Sequence, residues 1–99
     1  MNKVKDAAAK RFKEIAESKG NPPDLCIRLY IAPGGWCGPR VAAVLDERIG
    51  KGDIVVEDNG VKVVYTRSLY ELVKNTHVNY MNTFFFKGFQ AFSHKYKGG

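Results

Sequence analysis

The sequence predicts an α+β fold: one small domain of mixed β-sheets with an N-terminal helix and a short second helix. Three observations predict it. Apolar residues near the N-terminus recur at helical spacing, later runs are short and β-branched, and the connections between them are short. Ninety-nine residues suffice for one core and not for two. A single domain over 1–99 is therefore expected, folded over about 1–94, with 95–99 as a frayed tail.

The elements follow in order. Val4, Ala8, Phe12, Ile15 and Ala16 form an apolar stripe with Lys5, Lys10, Lys13, Glu14 and Glu17 opposite, the pattern of an amphipathic helix. The run Ser18-Lys19-Gly20-Asn21-Pro22-Pro23 stops it. Leu25, Ile27, Leu29 and Ile31 alternate with Cys26, Arg28 and Tyr30, which predicts a strand with one buried face. Arg40 to Leu45 is apolar and fits either strand or helix. Ile54 to Tyr65 holds two β-branched runs around Asn59-Gly60, the residue pair that supplies the positive φ angles of a two-residue type I′ hairpin. Ser68 is placed to cap a short helix through Leu69, Leu72 and Val73, with Glu71 completing a capping box. His77 to Met81 and Thr83 to Phe92 read as extended, the second carrying Phe84, Phe85, Phe86, Phe89 and Phe92. Three consecutive phenylalanines on a strand cannot all face one side, so at least one is expected to leave the core and serve an oligomer interface.

Composition narrows the functional classes. A hydrophobic share of 44% and a charged share of 26% are ordinary for a globular protein, and no apolar stretch is long enough to span a bilayer. Nothing at the N-terminus resembles a secretion signal, and two cysteines without one point to reduced thiols and a cytoplasmic location. The net charge of +6 favours acidic partners, or nucleic acid without specificity, and no specific nucleic acid and no membrane are expected as partners. Carboxylate pairs, nucleophile–histidine arrangements and phosphate loops are missing from the motifs, so no enzyme is expected.

The chemistry concentrates in Gly34-Gly35-Trp36-Cys37-Gly38-Pro39. Glycines on both sides leave the sulfur uncrowded and free to ligate a metal, undergo redox chemistry or attack. Trp36-Cys37-Gly38-Pro39 resembles the thioredoxin turn, but Arg40 stands where the second cysteine would be, and a dithiol cycle needs both thiols. A thioredoxin-like monothiol protein remains an alternative. Lys87-Gly88-Phe89 with Phe92 is similar to an RNA-recognition motif, yet Gln90-Ala91 breaks the pattern and core packing explains these rings more simply.

A third resemblance covers some ninety residues. The helix opening Val4-Lys5-Asp6-Ala7-Ala8-Ala9-Lys10, Leu29-Tyr30-Ile31 leading into Gly34-Gly35-Trp36-Cys37-Gly38, and Leu45-Asp46-Glu47 resemble the HesB/IscA family of A-type iron–sulfur carriers. So do the hairpin Gly52 to Val64 and the landmarks Ser68-Leu69, Val78-Asn79-Tyr80 and Gly88-Phe89, all in family order. The resemblance implies a homo-oligomer, usually a dimer, that holds iron or a 2Fe–2S or 4Fe–4S cluster for delivery to apoproteins, alongside other iron–sulfur assembly proteins. It implies Cys37 as the principal metal and cluster ligand. The family's C-terminal Cys-Gly-Cys has no match, since the sequence ends at Lys97-Gly98-Gly99 about where that pair would begin.

A cluster usually takes four thiolates, and two copies of Cys37 supply two. Cys26, His94, His77 or an external thiol such as glutathione are the candidates for the rest. His94 and Cys26 are the weaker metal candidates named after Cys37. Cys26, which shares its side of the strand with Arg28 and Tyr30, also fits a semi-buried structural thiol. Arg40, three residues after Cys37, can lower the thiol pKa if the loop brings the two together. The alternative to a carrier is a degenerate HesB-like domain that holds no cluster and acts as a protein-interaction module.

Overall fold

A computed structural model of the chain describes residues 3–34 and 39–93. It contains helix α1 (Asp6–Ser18), strands β1 (Cys26–Ala32), β2 (Arg40–Asp46), β3 (Asp53–Asp58) and β4 (Val61–Thr66), a 3-10 turn (Arg67–Leu69), helix α2 (Tyr70–Val73), and strands β5 (Thr76–Asn82) and β6 (Lys87–Ser93). A four-stranded sheet runs β2-β1-β4-β3, and β5 pairs with β6 in a separate ribbon. The sheet is mixed, because β1 lies parallel to β4 while its other pairs are antiparallel. This is the α+β architecture with two helices that the sequence predicts. Among the described residues no helix is long and apolar enough to cross a membrane.

Pairing with β1 decides the ambiguous Arg40 to Leu45 run in favour of a strand, from Cys26 opposite Asp46 to Ala32 opposite Arg40. The Asn59-Gly60 turn forms as expected. Both residues have positive φ, 55° and 76°, and Asp58 pairs directly with Val61 across them. One face of the sheet gives Leu25, Ile27, Leu29, Val61, Val63 and Tyr65 to a core shared with Ala8 and Phe12 of α1, Val73 and Val78. Each Val, Leu, Ile or Phe side chain among them contributes about 1.5–3 kcal/mol through burial.

Val4 lies before the helix instead of within it. It bridges Val78 of β5, with Lys5 N–H on the Val78 carbonyl at 2.9 Å and Val78 N–H on the Lys3 carbonyl at 2.7 Å. The β3–β4 turn grips the same segment. Asp58 accepts from Val4 N–H at 2.9 Å, and Asn59 Nδ2 donates to the Val4 carbonyl at 3.1 Å and to Asp6 Oδ1 at 3.0 Å. Residues 3–6 therefore stitch the ribbon to the four-stranded sheet.

Two local expectations change. Ser68 does not cap α2: the position before the helix is Leu69, and no side chain caps it. The chain instead enters through the 3-10 turn Arg67–Leu69, which leaves Ser68 inside the turn. The second change is at Phe84 to Phe86, which are not on a strand. Thr83 closes a turn there: its N–H donates to the Phe86 carbonyl at 2.7 Å, and its hydroxyl accepts from Phe86 N–H at 3.0 Å. The expectation that some of these rings leave the core holds in a different geometry, with Phe84 and Phe85 at the hairpin tip.

Candidate functional site

The segment with the cysteine motif joins β1 to β2. Ala32 and Arg40 are the last paired residues, so residues 33–39 close an antiparallel pair whose two strands are fully registered. Cys37, with Trp36 beside it, lies outside the described residues, as does His94 after β6. Their immediate supports are described. Arg40 opens β2 and lines a cleft of about 390 Å³ with Tyr30, Val41, Phe86, Phe89 and Phe92. Phe92, near the end of β6, stacks on His77 of β5 at 5.4 Å. The start of β2 and the later part of β6 thus border a common cleft, walled mostly by aromatic and aliphatic side chains.

Cys26 is elsewhere. It sits at the other end of β1, about 20 Å of extended chain from Ala32. It is completely buried, and its thiol donates to the Asp46 carbonyl at 3.4 Å. Burial pushes its pKa up, and the nearby Asp46 carboxylate adds to the effect. Such a thiol stays protonated at neutral pH, a poor state for a metal ligand or nucleophile. Alternation alone makes Cys26 semi-buried beside Arg28 and Tyr30; in the structure it is as enclosed as Ile27. Among the described residues, no group of three or more His, Cys, Asp or Glu side chains is placed to hold a metal ion.

An ion cluster that the sequence does not advertise fixes the far side of the sheet. Arg28 Nε donates to Asp46 Oδ2 at 2.8 Å, and its two terminal nitrogens donate to Asp53 Oδ1 and Oδ2 at 3.1 and 2.7 Å. Arg28 also holds the Arg48 carbonyl at 3.0 Å, and Gly50 N–H donates to Asp53. The guanidinium lowers the Asp53 pKa to about 2 and lowers that of Asp46, while the two carboxylates raise its own. These contacts lock the β2–β3 connection onto the outer sheet face and engage the carboxylates of both Asp46 and Asp53. The only hint in the sequence is that Arg28 sits on the outward side of β1, because its partners lie 18 and 25 residues away.

No protein-family model matches the chain. A protein of Burkholderia cenocepacia (strain HI2424) that bears the name iron-sulfur cluster insertion protein ErpA is 31% identical over 75 residues, or 76% of this chain and 60% of that one. The chain thus spans about three fifths of the length of this curated relative. Escherichia coli SufA, whose crystal structure is described as that of a protein involved in biosynthesis of iron–sulfur clusters, shares the fold at a TM-score of 0.74 and 19% identity. That match covers 97% of this chain and 82% of SufA. The crystal structure of IscA with a 2Fe–2S cluster matches at a TM-score of 0.68 and 15% identity, over 94% of this chain and 82% of that one.

Proposed function

We propose that this chain, which belongs by sequence and fold to the HesB/IscA-like family of A-type iron–sulfur carriers, binds iron or an iron–sulfur cluster through the Cys37 thiolate and passes it on. The observation that carries this reading is the position of Cys37 in sequence, inside the segment that joins β1 to β2 of a fold shared with SufA. Carriage, not catalysis, is the role. The cluster is cargo, held between two copies of the chain, each of which contributes Cys37. His94 or a small external thiol completes the ligand set.

The chemistry follows from the donors. Sulfur ligands are soft and suit iron–sulfur cargo. A cargo held by fewer protein thiolates than a resident cluster is labile, so the thiolates of a recipient displace Cys37 one by one. The protonated, enclosed Cys26 does not compete for the cargo. An aromatic cleft lies beside Arg40 and Phe92, at the start of β2 and near the end of β6.

The experiment is cluster transfer. The protein is loaded anaerobically with iron and sulfide, then mixed with an apo-ferredoxin in the presence of an iron chelator, and circular dichroism follows the recipient's spectrum. Transfer that outpaces chelation supports the carrier. Failure to load, or loss of all iron to the chelator, sinks it and favours the cluster-free interaction domain.

A further inference from the structure

The tip of the β5–β6 hairpin presents an aromatic pair to solvent. Phe84 is 93% exposed and Phe85 91%. The turn beneath them is built, since Thr83 and Phe86 are joined through both backbone and hydroxyl. The rings meet edge to face with centroids 5.0 Å apart. Single exposed apolar residues are common, whereas two adjacent large rings exposed on a hydrogen-bonded turn offer a docking point.

Cations flank this tip. Lys87 begins β6 opposite Asn82, and it lines a shallow cleft with Lys10 and Arg11 of α1. One carboxylate, Glu14, shares the cleft; it pairs with Arg11 at 3.2 Å, and the Arg11 guanidinium lies 5.8 Å from the Tyr80 ring centroid. The balance beside the rings is positive, in a chain of net charge +6.

A second copy is a poor occupant. Two phenylalanines offer about 300–500 Å², against about 800 Å² per partner in a standard stable interface. Symmetric pairing also sets Lys10, Arg11 and Lys87 against their own copies. The occupant must be anionic, and rings this fully exposed suit a deformable surface better than a preformed pocket. We propose that the Phe84–Phe85 tip docks the chain on an anionic lipid bilayer, with the rings at the headgroup–acyl boundary and Lys10, Arg11 and Lys87 facing the lipid phosphates. The contact is peripheral, requires no spanning helix, and is independent of whether the chain holds a cluster.

The test is co-sedimentation of the full chain with vesicles of equal parts phosphatidylglycerol and phosphatidylcholine. The comparison set is a Phe84→Ser/Phe85→Ser double variant, Lys87→Glu, and vesicles of phosphatidylcholine alone. Both rings are already in water, so the double variant keeps the fold, which circular dichroism verifies. Wild type is expected to pellet with the anionic vesicles and to be released by added salt. Losing each ring weakens partitioning about tenfold, and Lys87→Glu weakens it further at low salt. Wild type left in the supernatant overturns the proposal and returns the tip to docking on an acidic protein. Pelleting that survives the double substitution, or equal binding to neutral vesicles, overturns it too. So does a concentration-dependent rise in mass without lipid that the double variant abolishes, which makes the tip a self-association surface.

Discussion

Asn59 performs two tasks, and substitution separates them. Its φ of 55° makes the hairpin turn, and its Nδ2 ties the turn to Val4 and Asp6. Asn59→Gly keeps the first and removes the second. The bond to the carbonyl of fully buried Val4 is worth about 1–1.5 kcal/mol, and the exposed one to Asp6 adds only a few tenths of a kcal/mol. Glycine's freedom in the unfolded chain costs about 0.5–1 kcal/mol more. The expected loss is about 2 kcal/mol, or about 8–16 °C in Tm for a chain this size. Asn59→Ala loses the same two bonds without glycine's unfolded-chain cost but incurs the αL penalty of an L-residue, about 1 kcal/mol, for a loss of about 2–3 kcal/mol. Urea and thermal unfolding measure both variants, and amide exchange at Val4 and Val78 reports whether the N-terminal stitch has loosened. If Asn59→Gly is as stable as wild type and Val4 stays protected, the stitch does not hold the two sheets together and the reasoning fails.

Other consequences are read more quickly. Because Arg28 holds the Asp53 carboxyl at about 2 in the folded state, below the ordinary carboxylate value, this pair contributes stability above the unfolded pKa of about 4 that is lost as pH falls through about 2. Carbon-13 titration of Asp53 is expected to give a midpoint near 2 in wild type and a clearly higher one in Arg28→Met, where the Gly50 N–H bond still lowers it; an unchanged midpoint contradicts the clamp. Cys26, buried with a raised pKa, is expected to resist thiol reagents until the protein unfolds, so Cys37→Ala should show no reactive thiol under native conditions. Fast modification of that variant contradicts the placement of Cys26.

Much of the fold was legible because local and long-range preferences agreed. The stripe through Ala8 and Phe12 is a helix face, and Asn59-Gly60 makes its turn. Where they diverged, the sequence misled. The Arg40–Asp46 run has no intrinsic preference, and pairing with β1 settles it. Phe84 to Phe86 carry strong strand propensity without Gly or Pro, yet the hydroxyl of Thr83 closes a turn through them. Ser68 had the spacing of a cap, but the 3-10 entry displaced it. Cys26 obeyed alternation in register and not in burial, because its side of β1 is closed over at that end of the strand. Of the candidate site, the glycines around Cys37 single it out in the sequence, and Cys37 itself lies outside the described residues. The cleft formed by β1, β2 and β6 was not legible, because its walls come from residues far apart in sequence.

The proposed role rests on Cys37 as the holder of iron–sulfur cargo. It is tested most directly by anaerobic reconstitution with iron and sulfide, followed by visible absorption of wild type, Cys37→Ala and Cys26→Ala. Thiolate-to-iron charge-transfer bands are expected in wild type and Cys26→Ala, and none in Cys37→Ala. Bands that survive loss of Cys37, or featureless spectra from all three proteins, contradict it.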